Sequence, residues 1–377
     1  MSLMHILYLM TYDYSFKLWE ETGNLEREAL YFNEFINKTN FKITFLTFGD
    51  ESEINYQKIN PNIKIIPIYK YIKFSSNKYI RFLKSIFIPI FLKKTLVNLN
   101  IDIVKQNQLQ GAWIALLIKL QLKKPLIIRT GYDVYSFKKK ERKNKLIIIF
   151  YFLLTKITLN YSDIYTTTSV IDSFKLKKII KNNNKIRVRS NFVISPDKIM
   201  EFANRPNNFI LSVGRLEKQK NLDYLLSEFN NSELNIHIYG DGNLYNHLYD
   251  KSNFIKPKVD FKGVISNDKL VNVYSNYKFY ISTSLFEGNS KTILEAMSAG
   301  CVVFATNCKN NREIIKDKQN GFLFELHEGS LINLFNKYQF ESEILNSISE
   351  NARLSVLQNN NLDELISNEK KDILELL

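Results

Sequence analysis

From residue 209 onward, short and nearly continuous apolar runs alternate with stretches whose apolar residues recur at helical spacing. FILSV (Phe209–Val213) precedes NLDYLLSEF, NIHIY precedes a short helical stretch and VDFKGV, and DKLVNVYSNY and KFYISTS precede SKTILEAMSAG. CVVFAT, the short helical REIIKD and the strand-like GFLFE follow. A strand with no polar side must be buried on both faces. Such strands separated by helices specify a parallel sheet covered by helices on both sides. The helix in SKTILEAMSAG is expected to end at Gly300.

The first 200 residues alternate less cleanly. HILYLM, KITFLTF, KIIPI, IDIVKQ, PLIIRT and DIYTTTS read as strands, with helices at Leu25–Asn37, Gly111–Leu122 and Leu146–Leu159. A chain of 377 residues exceeds one ordinary core. Two domains are therefore expected, 1–190 and 205–360, joined over about Ser190–Asn208. The region after Glu328 is expected to pack back across the first domain, ending in a helix over about 360–377. Two doubly wound domains facing each other place the carboxyl ends of their strands at a shared cleft, where open α/β sheets bind ligands.

The net charge of +14 is unevenly spread. Residues 1–200 hold 33 Lys+Arg and 15 Asp+Glu, whereas residues 201–377 hold 19 and 23. The bland source is a coding bias toward Lys, Asn and Ile. The functional one is an anionic partner for the first half. Lys138–Lys145 and the stretch Tyr79–Lys94 set basic clusters against helices rich in Ile, Leu and Phe, which points to an anionic membrane surface. Nucleic acid is disfavoured, because no zinc spacing, aromatic RNP-like strand or helix-turn-helix pattern is present. Two cysteines, Cys301 and Cys308, are too few for a disulfide framework and lack partners for a zinc site. The densest apolar run, Leu146–Leu154, is about half a membrane span. The opening HILYLMTY lacks a secretory pattern, so a cytoplasmic protein, peripheral on the membrane, is expected.

Chemistry is sought in the loops that follow strands. After FILSV comes GRLEKQK, in which Arg215 offers a planar fork of donors to phosphate oxygens and Lys220 a point charge. After KFYISTS comes LFEGNSKTILEAMSAG, which sets Glu287 before a helix and Glu295 one to two turns inside it. Asn289 or Ser290 can cap that helix and leave the amides of Lys291 and Thr292 aimed at an anion. An acidic residue near a helix start also suits the helix dipole, the ordinary reason for a Glu287. A buried Glu295 would need a partner. The Gly240-Asp241-Gly242 turn follows NIHIY. Gly23 precedes a helix where it would permit close approach to a phosphate, and RTGYD (Arg129–Asp133) follows PLII. Asp-x-Asp, the P-loop and Gly-x-Gly-x-x-Gly after the first strand are absent. His5 and His237 fall in strands, where a structural role is commoner, and none of the four histidines shows a Ser/Asp partnership.

Taken in order, SVGRLEKQKN, YGDGN, STSLFEGNSKTILEAMSAG and REIIKDKQNGFLF resemble the C-terminal half of retaining glycosyltransferases of family 4, also described as glycosyl transferases group 1. The resemblance covers roughly Phe209–Phe324 and implies a GT-B fold, two Rossmann-like domains with a cleft between them. It implies that Arg215 and Lys220 grip the diphosphate of a nucleotide-sugar donor, a UDP- or GDP-sugar. Glu287 would contact the donor sugar beside the anomeric centre, and Glu295 would hold the ribose hydroxyls. The backbone from Gly288 through Asn289, Ser290 and Lys291 to Thr292 would bind sugar and phosphates, with Gly240–Gly242 near the base. It further implies transfer of a hexosyl or N-acetylhexosaminyl group to a glycan or lipid-linked acceptor in bacterial-type surface polysaccharide assembly, with no metal and no cofactor. Three departures stand out: Arg129, Thr130 and Asp133 where many members place a histidine, NCKNNRE in place of a Gly-Gly loop, and no proline before Val302-Val303. The competing readings are another GT-B nucleotide-sugar enzyme, epimerase-like or phosphorylase-like, a basic nucleic-acid- or membrane-binding protein, or a catalytically dead relative.

Overall fold

The computed structural model describes residues 3–180, 184–196 and 198–377. It divides into two compact units, Met1–Arg189 with Asp363–Leu377, and Ser190–Leu362.

The first unit holds strands β1 (His5–Leu9), β2 (Lys42–Thr47), β3 (Ile63–Pro67), β4 (Ile103–Asn107), β5 (Leu126–Thr130), β6 (Ile164–Thr167) and β7 (Ile186–Val188). All pair in parallel, in the order β3-β2-β1-β4-β5-β6-β7. Its helices are α1 (Phe16–Glu21), α2 (Leu25–Thr39), α3 (Lys78–Ile86), α4 (Ile88–Phe91), α5 (Lys93–Val97), α6 (Ala112–Leu122), α7 (Val134–Lys140), α8 (Lys145–Tyr161) and α9 (Val170–Lys177). Central strands are buried on both faces, as in β1, where Ile6 through Leu9 are all buried.

The second unit holds β8 (Phe209–Val213), β9 (Asn235–Tyr239), β10 (Val259–Gly263), β11 (Phe279–Ser282), β12 (Val302–Thr306) and β13 (Phe322–Phe324). They too are parallel, in the order β10-β9-β8-β11-β12-β13. The helices are α10 (Leu222–Glu228), α11 (Tyr245–Ser252), α12 (Asn267–Tyr274), α13 (Lys291–Ser298), α14 (Asn311–Ile314), α15 (Ser330–Tyr338) and α16 (Ser342–Asn359). Successive strand residues point to opposite faces. Ile210, Phe279 and Phe304 therefore pack with Leu225 of α10 and Phe335 of α15, whereas Leu211, Tyr280 and Val303 pack with Leu294 of α13 and Ala352 of α16.

Two features depart from the expected boundaries. The stretch around Ser190–Asn208, read as a connection, belongs to the second unit. Asn191 bonds to Asn289 and Asn360. The buried Arg205 donates to the carbonyls of Met200, Tyr277, Ala299 and Gly300. It thereby satisfies acceptors around the end of α13, where helical carbonyls lack internal partners. In the C-terminal region, α15 and α16 stay with the second unit, and the change of unit falls at Asp363. The last helix, α17 (Leu362–Leu374), sets Glu369 against Lys105 of β4, 2.7 Å away, and Tyr31 of α2. Asp372 takes Arg187 and Arg189.

Candidate active site

Strand order in the second sheet reverses between β8 and β11, which pair directly. Connections leaving such a pair run to opposite faces and open a crevice at the carboxyl ends, the usual ligand position in doubly wound sheets. The two loops singled out in the sequence, GRLEKQK and SLFEGNS, leave these two strands.

The loops are stitched together through main chain. Leu285 N–H donates to the Gln219 carbonyl at 2.8 Å, Gln219 Nε2 to the Phe286 carbonyl at 2.8 Å, and Thr283 Oγ1 to the Lys220 carbonyl at 2.9 Å. This places Lys220 Nζ 2.6 Å from Glu287 Oε1, with the two side chains 18% and 7% exposed. Gln219 Nε2 adds a longer contact to Glu287 Oε2 at 3.4 Å. Arg215 lies at the surface, 69% exposed, and pairs with Glu217 at 3.3 Å. The two cations of one loop are thus differently placed. Lys220 is committed to a carboxylate at the strand edge, and Arg215 is a mobile-length side chain at the rim.

The glycines of the next loop have a backbone role. A Cβ on Gly240 would lie 2.0 Å from the Gly214 carbonyl oxygen, and one on Gly242 would lie 2.6 Å from that of Leu216. Their absence lets the loop after β9 run against the loop after β8. There Gly214 N–H reaches the Tyr239 carbonyl, and Leu216 N–H the Asp241 carbonyl, each at 2.9 Å. The Asp241 carboxylate turns back to Gly242 N–H at 2.7 Å. Gly240→Ala is expected to lower stability by about 1–3 kcal/mol, because backbone must shift to admit one methyl. Urea unfolding measures this, and an unchanged midpoint would show that the loops part freely.

Helix α13 starts at Lys291 with Ser290 in the capping position. Contrary to expectation, the Ser290 side chain makes no bond to the first-turn amides; its Oγ lies 3.4 Å from Thr292 Oγ1. Asn289 does not cap either, since its Oδ1 and carbonyl accept from Asn191 at 3.1 and 2.8 Å. Gly288 is buried behind Glu287.

Glu295, about one turn along α13, is 5% exposed. It accepts from Asn267 Nδ2 at 3.1 Å and Tyr274 OH at 3.2 Å. Burial and the adjacent carboxylate push the Tyr274 phenol well above its ordinary pKa, so it stays a donor. Burial of Glu295 is therefore satisfied within the protein. Beside it, Asn267 Oδ1 is buried with no partner, an acceptor still to be filled. Sequence reasoning missed Asn267, Tyr274 and Gln219. Gln219 sat within the quoted loop, but the other two carried no signal beyond a helix start and an apolar face.

In the first unit, Gly23 adopts φ +68° directly after α1, and Asn24 N–H returns to the Trp19 carbonyl at 2.7 Å. This is a glycine that ends a helix, one helix removed from the end of β1. Thr130 bonds to the Thr166 carbonyl at 3.3 Å, and Asp133 caps α7 through Ser136 N–H at 3.2 Å. The histidine reading needs one correction. His237 lies 3.4 Å from Asp260, and His247 lies 2.7 Å from Asp223, so two histidines do have aspartate partners. His5, on β1, bonds to the Leu99 carbonyl and Thr44 Oγ1, and burial lowers its pKa.

A family profile described as glycosyl transferases group 1 matches residues 196–355. An uncharacterized glycosyltransferase of Methanocaldococcus jannaschii is 28% identical over 47% of this chain and 47% of its own length, so the chain spans about half of that relative. The N-acetylgalactosamine-N,N'-diacetylbacillosaminyl-diphospho-undecaprenol 4-alpha-N-acetylgalactosaminyltransferase of Campylobacter jejuni is 27% identical over 67% of this chain and 70% of its own. Among solved structures, Anabaena HepE in complex with UDP and glucose superposes with a TM-score of 0.74 at 16% identity, covering 99% of this chain and 100% of that one. At such identity the likeness speaks to fold, over nearly the whole chain. Residues 196–355 thus match the group 1 glycosyltransferases, and the chain has the GT-B fold.

Proposed function

We propose that the protein is a retaining glycosyltransferase that moves a hexosyl or N-acetylhexosaminyl group from a UDP- or GDP-sugar to a glycan or lipid-linked acceptor, without a metal. The observation that carries this is the Lys220–Glu287 pair at the strand reversal of the second sheet, directly before α13. Cleavage of the donor places new negative charge on the leaving diphosphate. Lys220, Arg215 and the amides from Gly288 to Thr292 oppose that charge, and fixed donors of this kind contribute about 10²–10³ each in rate. Glu287 orients Lys220 in the resting site and contacts the donor sugar once Lys220 turns to phosphate. The leaving phosphate takes the acceptor's hydroxyl proton on the same face, so no protein nucleophile is required.

Glu295, which accepts from Asn267 and Tyr274, would take the ribose hydroxyls. The unfilled Asn267 Oδ1 is an acceptor for a donor on the bound nucleotide. HepE's complex with UDP and glucose, and the diphospho-undecaprenol in the Campylobacter relative's name, support a nucleotide-sugar donor and a lipid-linked acceptor of polysaccharide assembly. Gly23 contributes here through the resemblance alone.

Thermal melts against UDP, GDP, CMP and their sugars, without added metal, test the reading. One nucleotide is expected to raise Tm by about 5–10 °C at a hundredfold excess over Kd. The shift should vanish in Arg215→Ala. Absence of any shift, together with no sugar transfer, defeats the proposal, and donor conversion without an acceptor would favour an epimerase.

A further inference from the structure

In the first unit, two segments far apart in sequence form one apolar face. Phe82 of α3 and Phe150 of α8 meet with ring centroids 5.9 Å apart, and both rings contact Trp113 of α6. Trp113 Nε1 in turn donates to Ser85 Oγ at 2.9 Å, fixing α3 to α6. Around this anchor the outward residues are large and apolar. Leu146 is 74% exposed, and Ile149, Leu153 and Ile157 follow it at helical spacing along α8. Leu83 of α3, Phe87 between α3 and α4, and Ile90 of α4 are exposed as well. The opposite side of α8 is the one that enters the core, through Leu154, Thr155, Thr158 and Leu159. Helix α8 therefore carries a second apolar stripe on its outer side, which core packing does not explain.

Exposed basic residues adjoin these helices along the chain: Lys78 opens α3, Lys93 and Lys94 open α5, Lys139 lies in the last turn of α7, Lys143 precedes α8 and Lys145 opens it. The geometry points to a surface that inserts its apolar side chains into one leaflet of an anionic lipid bilayer while the flanking ammonium groups meet phosphate headgroups. A second copy of the chain is a poor occupant, since a two-fold contact would set one group of lysines against another. A nucleic acid would meet Leu and Ile where it needs donors or stacking rings. Among the described residues, no helix is long and apolar enough to cross a membrane, so the lipid contact is of the in-plane kind.

The face is also tied to the ligand edge of its own sheet. Arg81 of α3 holds Asp13 through contacts of 2.9–3.3 Å and donates to the Ser75 and Ser76 carbonyls. Asp13 stands in the loop after β1 with φ +61°, beside the reversal between β1 and β4. A lipid-linked acceptor, if the reading above holds, would thus be met by a unit whose lipid face and strand edge are joined by one ion pair.

Vesicle flotation of the full chain tests the inference. The protein is expected to float with phosphatidylglycerol–phosphatidylcholine vesicles at low salt and to remain behind with phosphatidylcholine alone. The triple variant Lys139→Ala/Lys143→Ala/Lys145→Ala should lose about 100-fold in partitioning. Leu83→Glu/Ile149→Glu should lose at least about tenfold, and both variants should keep the nucleotide-dependent thermal shift. Undiminished flotation of the Leu83→Glu/Ile149→Glu variant overturns insertion in favour of a purely electrostatic contact. No flotation, or a concentration-dependent doubling of mass abolished by that variant, overturns the lipid partner. Because the thermal shift reads the second unit, its loss would indict the donor reading, and failed flotation with the shift intact would indict the lipid face.

Discussion

Lys220→Ala is expected to lower turnover about 10²–10³-fold, with Arg215→Ala falling in the same range. The two variants should differ in what else they change. Lys220 neutralises a carboxylate that is 7% exposed, so its removal leaves Glu287 without its ionic partner and lowers stability as well as rate. Arg215 is 69% exposed and pairs with a neighbour in its own loop, so stability should stay within about 0.5 kcal/mol. Arg215→Ala is therefore the clean probe of diphosphate binding. Lys220→Ala combined with Glu287→Gln removes the unpaired charge, so its stability set against that of Lys220→Ala measures what that charge costs. Steady-state kinetics alongside urea melts separate these terms. Near-normal kcat/KM in both single variants would remove the proposed roles.

Glu369→Ala is expected to destabilise the first unit by about 3–5 kcal/mol. Lys105 and Glu369 are each 6% exposed and bonded at 2.7 Å, with Tyr31 donating to the same carboxylate. Truncation leaves the Lys105 ammonium buried without a counter-charge. The pair also sets an acid limit. Burial would raise the Glu369 pKa, but Lys105 and the bonds from Lys105 and Tyr31 outweigh it and hold the carboxyl below its ordinary value. A carboxyl with a lowered folded-state pKa contributes its full stabilisation above about pH 5, and loses it as acid falls through the folded value. Glu369→Ala should accordingly flatten the acid side of the stability–pH curve. An unchanged acid limb would show that other carboxylates govern it.

What the sequence disclosed and what it withheld divide along one physical line. FILSV, KFYISTS and CVVFAT announce themselves because burial on both faces leaves consecutive apolar residues, FIL, FYI and VVFA, at their centres. Glu287 and Glu295 stand out because a loop and a helix start fix their spacing. Asn289 does not cap because its partner, Asn191, lies 98 residues away in sequence, whereas Ser290 Oγ turns to the nearby Thr292 Oγ1. Lys105 with Glu369, and Arg205 with four carbonyls, left no trace for the same reason. Each reads as an ordinary charged residue until a distant segment arrives. The outer stripe of α8 is a subtler case, since its apolar density marked a helix but not which side would be left in contact with solvent.

The chain passes from one unit to the other twice, at Ser190 and again at Asp363. During synthesis the first seven strands emerge long before the helix that completes them. At about 5–20 residues per second, the ribosome needs on the order of ten to thirty seconds to make the intervening unit. Throughout that interval Lys105, Arg187 and Arg189 lack the acids destined for them. The unit encoded second can thus finish folding first, and the first closes when α17 supplies Glu369 and Asp372.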